Sequence, residues 1–161
     1  MPREHADIKM TPEELRDFLS SDTRLILATI DDDDRPWADA VAYRFIDDRV
    51  YFRVPTKSRS YQHIVSDGRV CCVVESKPTG ASYYAIKGAM MHGMAEELSP
   101  GEDPEVHAQL LETTDPVTGG RNEESAIYSV GLDDSTSFVF DKIRYRYQDR
   151  TLSELRESKQ S

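Results

Sequence analysis

Polar and apolar positions change period several times along this chain, and each change marks an element. Thr11-Pro-Glu-Glu-Leu-Arg-Asp-Phe-Leu19 opens on a capping threonine, puts Pro at the first helical position and acids in the first turn, and then repeats apolar residues at Leu15, Phe18 and Leu19. That pattern predicts a short helix. Residues 24–30 form a nearly continuous apolar run, the mark of a buried strand, closed by a turn of four aspartates, Asp31 to Asp34. From Pro36 to Ile46 the chain alternates, with Trp37, Asp39, Val41, Tyr43 and Phe45 on one face and Ala38, Ala40, Ala42, Arg44 and Ile46 on the other. Asp47-Asp-Arg49 turns it into a second strand over 50–54, making a hairpin.

Pro55-Thr-Lys-Ser-Arg-Ser60 breaks that strand and leads into a helix over about 58–66, with Tyr61, Ile64 and Val65 on its apolar side. A buried strand is expected over 70–75, and a longer one over about 82–98 in which Gly88 and Gly93 suggest bulges or close approaches. Residues 99–124 are rich in Pro, Gly and acids and read as an excursion, with one helix from 104 to about 113 carrying Val106, Leu110 and Leu111. Residues 136–147 have the alternation and the β-branched or aromatic content of a last strand. About six antiparallel strands with few helices predict a mainly β fold with minor α, a small barrel whose gaps the helices fill. It occupies one domain over 1–150, followed by a polar tail over 151–161.

Composition narrows the function. The 161 residues carry a net charge of -10 and no basic stripe, the wrong field for a nucleic acid. No apolar run approaches the roughly 20 residues that span a bilayer, and residues 1–10 lack the apolar stretch of a secretory signal, so a soluble cytoplasmic protein with no membrane partner is expected. Cys71 and Cys72 are adjacent in the run Val70-Cys-Cys-Val-Val74, where a mutual disulfide would strain the backbone and no CxxC spacing exists; buried reduced thiols are expected. Asp31 to Asp34 lack the spaced ligands and glycine of a calcium loop, and His5, His63, His92 and His107 have no metal-ligand spacing, so no metal site is predicted. Met90, Met91 and Met94 read as barrel core. No Ser-His-Asp set, Walker loop or dinucleotide fingerprint is present.

One region departs from the acidic background. Residues 35–69 hold seven basic residues against four acids, a local charge of +3. Within them the corner Thr56-Lys-Ser-Arg-Ser60 offers a helix N-terminus, hydroxyl donors and two cations within reach of a phosphate. The preceding strand has an almost flat face at Ala38, Ala40 and Ala42, on which a planar ring can lie. An N-cap with surface cations, and alanines packed against a helix, would explain the same residues. A phosphate corner beside a flat strand is nevertheless the pairing that flavin mononucleotide (FMN) needs.

The chain resembles the flavin-binding split-barrel superfamily that includes pyridoxamine 5'-phosphate oxidase and the flavin- or deazaflavin-dependent reductases. The resemblance runs over about 11–98 and rests on Leu27-Ala-Thr-Ile30, Arg35-Pro-Trp-Ala-Asp-Ala-Val-Ala-Tyr43, Val50-Tyr-Phe-Arg53, Lys57-Ser-Arg-Ser60, Gly68-Arg-Val-Cys-Cys-Val-Val74 and Gly93-Met-Ala-Glu-Glu-Leu98, with a weaker match over 138–147. It implies that Asp39, Ala40, Val41, Ala42 and Arg44 run along the ring and ribityl chain, and that Phe52 and Arg53 contact the cofactor. Ser58 and Arg59 match a phosphate-binding Ser-Arg-Lys in which Ser60 replaces the lysine and Lys57 supplies the second cation. The family's ring-contacting glutamine has no counterpart, because Ala85 to Gly88 occupies its region. The segment Tyr145-Arg-Tyr-Gln-Asp-Arg150 lacks the Arg-and-Trp-bearing stretch that binds pyridoxamine phosphate, so the resemblance does not extend to that substrate.

The resemblance further implies a homodimer with the cofactor in the groove between subunits, Tyr145 and Tyr147 being candidates for the opposite wall. The expectation is an FMN-dependent oxidoreductase acting on a small organic molecule. The alternatives are the deazaflavin coenzyme on the same fold, or a noncatalytic flavin or haem carrier in which His92 serves as ligand or neighbour.

Overall fold

The computed structural model describes residues 10–76, 87–113, 124–132 and, for the backbone, 137–141. Helix α1 (Pro12–Ser20) starts on Thr11, whose hydroxyl accepts the Glu14 N–H at 3.2 Å while the Glu14 carboxylate accepts the Thr11 N–H at 3.3 Å. This reciprocal cap satisfies two donors that the helix leaves without partners. At the far end Tyr43 donates its hydroxyl to the Leu19 carbonyl at 2.6 Å, tying α1 to the sheet, and burial of that phenol raises its pKa.

Strands β1 (Arg24–Ile30), β2 (Pro36–Ile46) and β3 (Arg49–Pro55) form an antiparallel meander, the first two with the expected boundaries and β3 one residue longer at each end. The β1–β2 turn is held by the Asp31 carboxylate, which accepts the N–H groups of Asp33 and Arg35 and the Arg35 Nε, each at 2.9 Å. Asp47 and Asp48, with φ of 51° and 59°, make the tight β2–β3 hairpin, where aspartate tolerates the left-handed conformation. Helix α2 (Arg59–Ser66) and strand β4 (Arg69–Glu75) follow.

The long strand expected next is two strands, β5 (Lys87–Met94) and β6 (Glu96–Leu98), and its predicted part over 82–86 lies outside the described residues. Gly88 and Gly93 are not bulges; they keep regular register opposite Glu75 and Val70. The break falls at Ala95, whose N–H donates to the Gly68 carbonyl at 2.8 Å. A Cβ on Gly93 would meet the Val130 side chain at 3.7 Å, ordinary contact, so the position does not demand glycine.

Helix α3 (Pro104–Leu111) is followed by a strand that periodicity had not marked, β7 (Ser125–Gly131), and by β8 (Ser137–Asp141). The sheet order is β6-β7-β3-β2-β1-β4-β5-β8. Because β5 and β6 are separated by a single residue yet pair at opposite margins, the sheet curls round into an antiparallel barrel closed by that bent strand, with β8 added outside β5.

Among the described residues two apolar clusters fill the fold. The barrel interior holds Leu25, Leu27, Tyr43, Phe52, Val54, Cys72 and Met91, with α1 and α2 contributing Leu19 and Ile64. On the outside, Val106 and Leu110 of α3 pack on Ile127 of β7, beside Ile46 and Tyr51. The runs expected to be fully buried in β1 and β4 are buried on one face only: Leu25, Leu27 and Thr29 point in, whereas Ile26 is 46% exposed and Cys71 and Val73 are half-buried. A barrel strand with no helix over its outer face has this alternation. Among the described residues no helix is long and apolar enough to cross a membrane.

Candidate functional site

The basic corner forms where β3 ends. Pro55, opposite Ser125, has no N–H to give the ladder, the Thr56 N–H makes a last bond to the Glu124 carbonyl at 3.0 Å, and the Ser58 N–H then turns back onto the Pro55 carbonyl at 3.0 Å. Ser58 is the N-cap of α2: its hydroxyl oxygen accepts the Tyr61 N–H at 3.2 Å, and its proton goes to the Pro55 carbonyl at 2.7 Å. Ser60 is fully buried and donates to the Asp39 carboxylate at 3.4 Å. Both hydroxyls expected to face an anion are therefore spent within the fold. The helix start still offers the first-turn N–H groups of Arg59 and Ser60, which have no carbonyl to bond to inside the helix, and two exposed cationic residues, Lys57 and Arg59.

Arg59 is held by an aromatic platform. Its guanidinium carbon lies 5.0 Å from the Trp37 ring centroid, and the His63 ring meets Trp37 edge-on with centroids 6.2 Å apart. The His63 Nδ1 in turn pairs with the buried Thr29 hydroxyl at 2.9 Å, fixing α2 to the barrel end. Sequence reading assigned no role to this Trp37, His63 and Thr29 chain. The only signal was a lone tryptophan two residues from the basic island's first arginine.

The outer face of β2 is as flat as expected. Ala38 is exposed, Ala40 half-buried and Ala42 buried, and across the β1 ladder they face Ala28, Ile26 and Arg24. Arg44 lies on the same face, half-buried, its Nη1 donating to the Tyr43 carbonyl at 3.0 Å. Asp39 shares the inward parity of Val41 but sits beyond the core, near α2. Val41 and Phe52 present their side chains to the barrel interior, Phe52 stacking on Tyr128 with centroids 6.1 Å apart. Alternation along a strand puts them on the face opposite the alanines, which leaves them only main-chain contact with anything lying there.

Arg53, which the resemblance placed in contact with the cofactor, is turned into the fold. It is 5% exposed and donates from Nη1 to the Thr113 carbonyl at 2.9 Å and from Nε to the Ser125 hydroxyl at 3.0 Å. Its guanidinium fastens the end of the α3 segment and the start of β7 onto β3. Of the eleven residues predicted for the cofactor, the fold gathers Ala38's neighbours Ala40 and Ala42 with Arg44 on one outer face, and Lys57, Ser58, Arg59, Ser60 and Asp39 at the adjoining corner.

The thiols and methionines divide differently from expectation. Cys72 is buried, with its pKa raised by desolvation, but Cys71 is only half-buried. Met91 is core, whereas Met90 and Met94 stand on the outer face at 37% and 62% exposure, since neighbours on a strand point to opposite sides. His92 is exposed on that face. His5, Tyr145 and Tyr147 lie outside the described residues.

An antiparallel barrel closed by one bent strand, with a short helix across one end and a basic corner at that helix's start, defines the split-barrel class. The sequence profile of the family described as Pyridoxamine 5'-phosphate oxidase matches residues 11–123, and the chain belongs to this family. Among solved structures it is similar to a conserved hypothetical protein from Mycobacterium tuberculosis (TM-score 0.65, 19% identity, 93% of this chain and 96% of that one). It is also similar to HutZ, a heme storage protein from Vibrio cholerae (0.63, 17%, 80% and 94%). A third is an FAD and heme binding protein from Mycobacterium smegmatis (0.64, 12%, 94% and 80%). At these identities the likeness is one of fold. No curated protein matches the sequence significantly.

Proposed function

We propose that this chain is a flavin-dependent oxidoreductase that holds FMN on the outer face of β2, with its phosphate at the start of α2. Two observations carry this reading: a nearly side-chain-free row, Ala38, Ala40 and Ala42, on one face of β2, and a helix N-terminus flanked by Lys57 and Arg59 that is tied to the same strand through Ser60–Asp39 and Arg59–Trp37. In it the phosphate takes the backbone N–H groups of Arg59 and Ser60 and the charges of Lys57 and Arg59, because the hydroxyls of Ser58 and Ser60 already donate elsewhere. The Trp37 platform fixes the position of the Arg59 guanidinium before any ligand arrives. Bound flavin supplies hydride acceptance from a small organic substrate, and the protein orients the two. The uncovered apolar part of the sheet around Ile26 supports a homodimer with the cofactor in the groove between subunits.

The visible spectrum of the purified protein, alone and after titration with FMN or the deazaflavin coenzyme, tests the cofactor. An oxidised-flavin spectrum supports the reading, and tight binding of deazaflavin alone replaces FMN by that coenzyme. Bleaching by a nicotinamide donor and reoxidation with turnover distinguishes an enzyme from a carrier. Lys57→Ala with Arg59→Ala, which leaves the Ser58 cap intact, should weaken FMN by about 2–4 kcal/mol. A second reading, a haem carrier, is favoured by the exposed His92 on the apolar outer face, and a Soret band on haem addition that His92→Ala abolishes would support it.

A further inference from the structure

Strands β4 and β5 bring together soft donor atoms that are separated in the sequence. Cys71 stands directly opposite His92 in the ladder, and Val73 opposite Met90. Opposed residues share a face with Cβ atoms about 4.5–5.5 Å apart, and diagonal ones about 7–8 Å apart. The Cys71 thiol and the His92 imidazole thus start side by side on the outer face. Met90, two residues along β5 on the same face, is the diagonal neighbour of Cys71. All three reach the surface: Cys71 is half-buried, His92 exposed and Met90 37% exposed, while the intervening Cys72 and Met91 are fully buried on the other side. On the β1 side Cys71 faces Ala28, and on the β8 side Met90 stands opposite Phe138 in the ladder.

We propose that Cys71, His92 and Met90 form a surface site for a soft monovalent metal ion of the copper(I) class. One thiolate, one thioether and one imidazole suit such an ion, and the single thiolate charge balances a single positive one. Hard divalent ions prefer carboxylates and carbonyls, and this donor set holds none. On binding, the Cys71 thiol releases its proton to solvent, sulfur and nitrogen lone pairs coordinate the ion, and no electron is transferred. Met94 is not part of the set: its Cε lies over Gly68, 3.1 Å from where a Cβ there would be. The site goes beyond the flavin reading and uses none of the residues placed at the ring or the phosphate; Cys71, opposite Ala28, adjoins the Ile26 face offered there for dimerisation.

Silver(I), a redox-stable probe of the same charge and softness, is titrated into the reduced full chain in chloride-free buffer by calorimetry. One ion per chain is expected, together with protection of Cys71 from iodoacetamide read by mass spectrometry, a measurement that needs no variant. Removing a second-sphere partner of a metal costs about 10–100-fold in affinity. Loss of a direct donor in Cys71→Ser, His92→Gln or Met90→Leu should therefore cost at least about tenfold, while Met94→Leu binds as the parent does. Competition against a copper(I) chelator should give the same order of variants. Equal alkylation of Cys71 with and without silver overturns the proposal, as does a stoichiometry well below one. Parent-like binding by both His92→Gln and Met90→Leu would reduce the site to a lone thiolate and equally overturn it.

Discussion

Replacing Arg53 by Met keeps most of the aliphatic stem and removes the guanidinium, which separates a structural role from a ligand-binding one. In the fold the guanidinium donates to the Thr113 carbonyl at 2.9 Å and the Ser125 hydroxyl at 3.0 Å from a position only 5% exposed. Hydrogen bonds from a charged donor contribute about 1.5–3 kcal/mol each. Relief of the buried charge's desolvation cost offsets part of that sum, leaving an expected loss of about 2–4 kcal/mol. Against a total stability of about 5–15 kcal/mol this is a large fraction, and it corresponds to a fall in Tm on the order of 10 °C. Urea unfolding of the cofactor-free protein, followed by far-UV circular dichroism, should show a lower midpoint at unchanged slope. A residue that served only a ligand would leave that midpoint where it was, and a variant superimposable on the parent would refute the anchoring role.

Three further outcomes are expected. Leu110→Ala empties the centre of the small cluster between α3 and β7 and should destabilise by about 2–4 kcal/mol in the same unfolding assay; a loss under 1 kcal/mol would mean that α3 is not fastened there. Thr29→Val preserves shape but leaves the His63 Nδ1 without its partner, and should lower stability by about 1–3 kcal/mol by thermal unfolding, with no change if water takes over the bond. The Asp67 carboxyl, hydrogen-bonded first by the Arg69 side chain and then by its N–H, is held at about 2 instead of 3.8. A depressed folded-state value contributes stability that is complete above the unfolded value and is lost as pH falls from about 4 towards 2. Arg69→Gln should raise the Asp67 midpoint part of the way back, measured by NMR titration of its carboxyl carbon, and an unmoved midpoint contradicts the assignment.

Much of the scaffold was legible because its signals are local. The Thr11 cap, Pro12 and the acids of the first turn mark α1 within one helical turn, and the alternation from Pro36 to Ile46 defines β2 and its two faces. Strand β7 escaped notice because Ser125-Ala-Ile-Tyr-Ser-Val-Gly131 follows a loop-like composition and mixes small polar residues with its apolar ones. Its strand character comes from pairing with β3 on one side and β6 on the other. Of the methionines expected in the core, Met91 is there but Met90 and Met94 are not, for a related reason: adjacent residues on a strand divide between core and surface, and only the barrel says which side is which.

The candidate site shows the same division. Residue types and spacing sufficed to mark a helix start, two cations and a flat alanine strand, since all lie within 23 consecutive residues, 38–60. The direction in which each polar group spends its hydrogen bonds was not available there. Arg53 turns to Thr113 and Ser125, sixty and more residues away, and His63 to Thr29, thirty-four away. By itself the sequence determined the local elements, the acidic surface with its basic island and the split-barrel likeness. Only the tertiary structure decided which cations and hydroxyls remain available and which donors meet across β4 and β5, because a buried polar group must find a partner wherever the fold supplies one, and ladder register is set by the packing of the whole barrel.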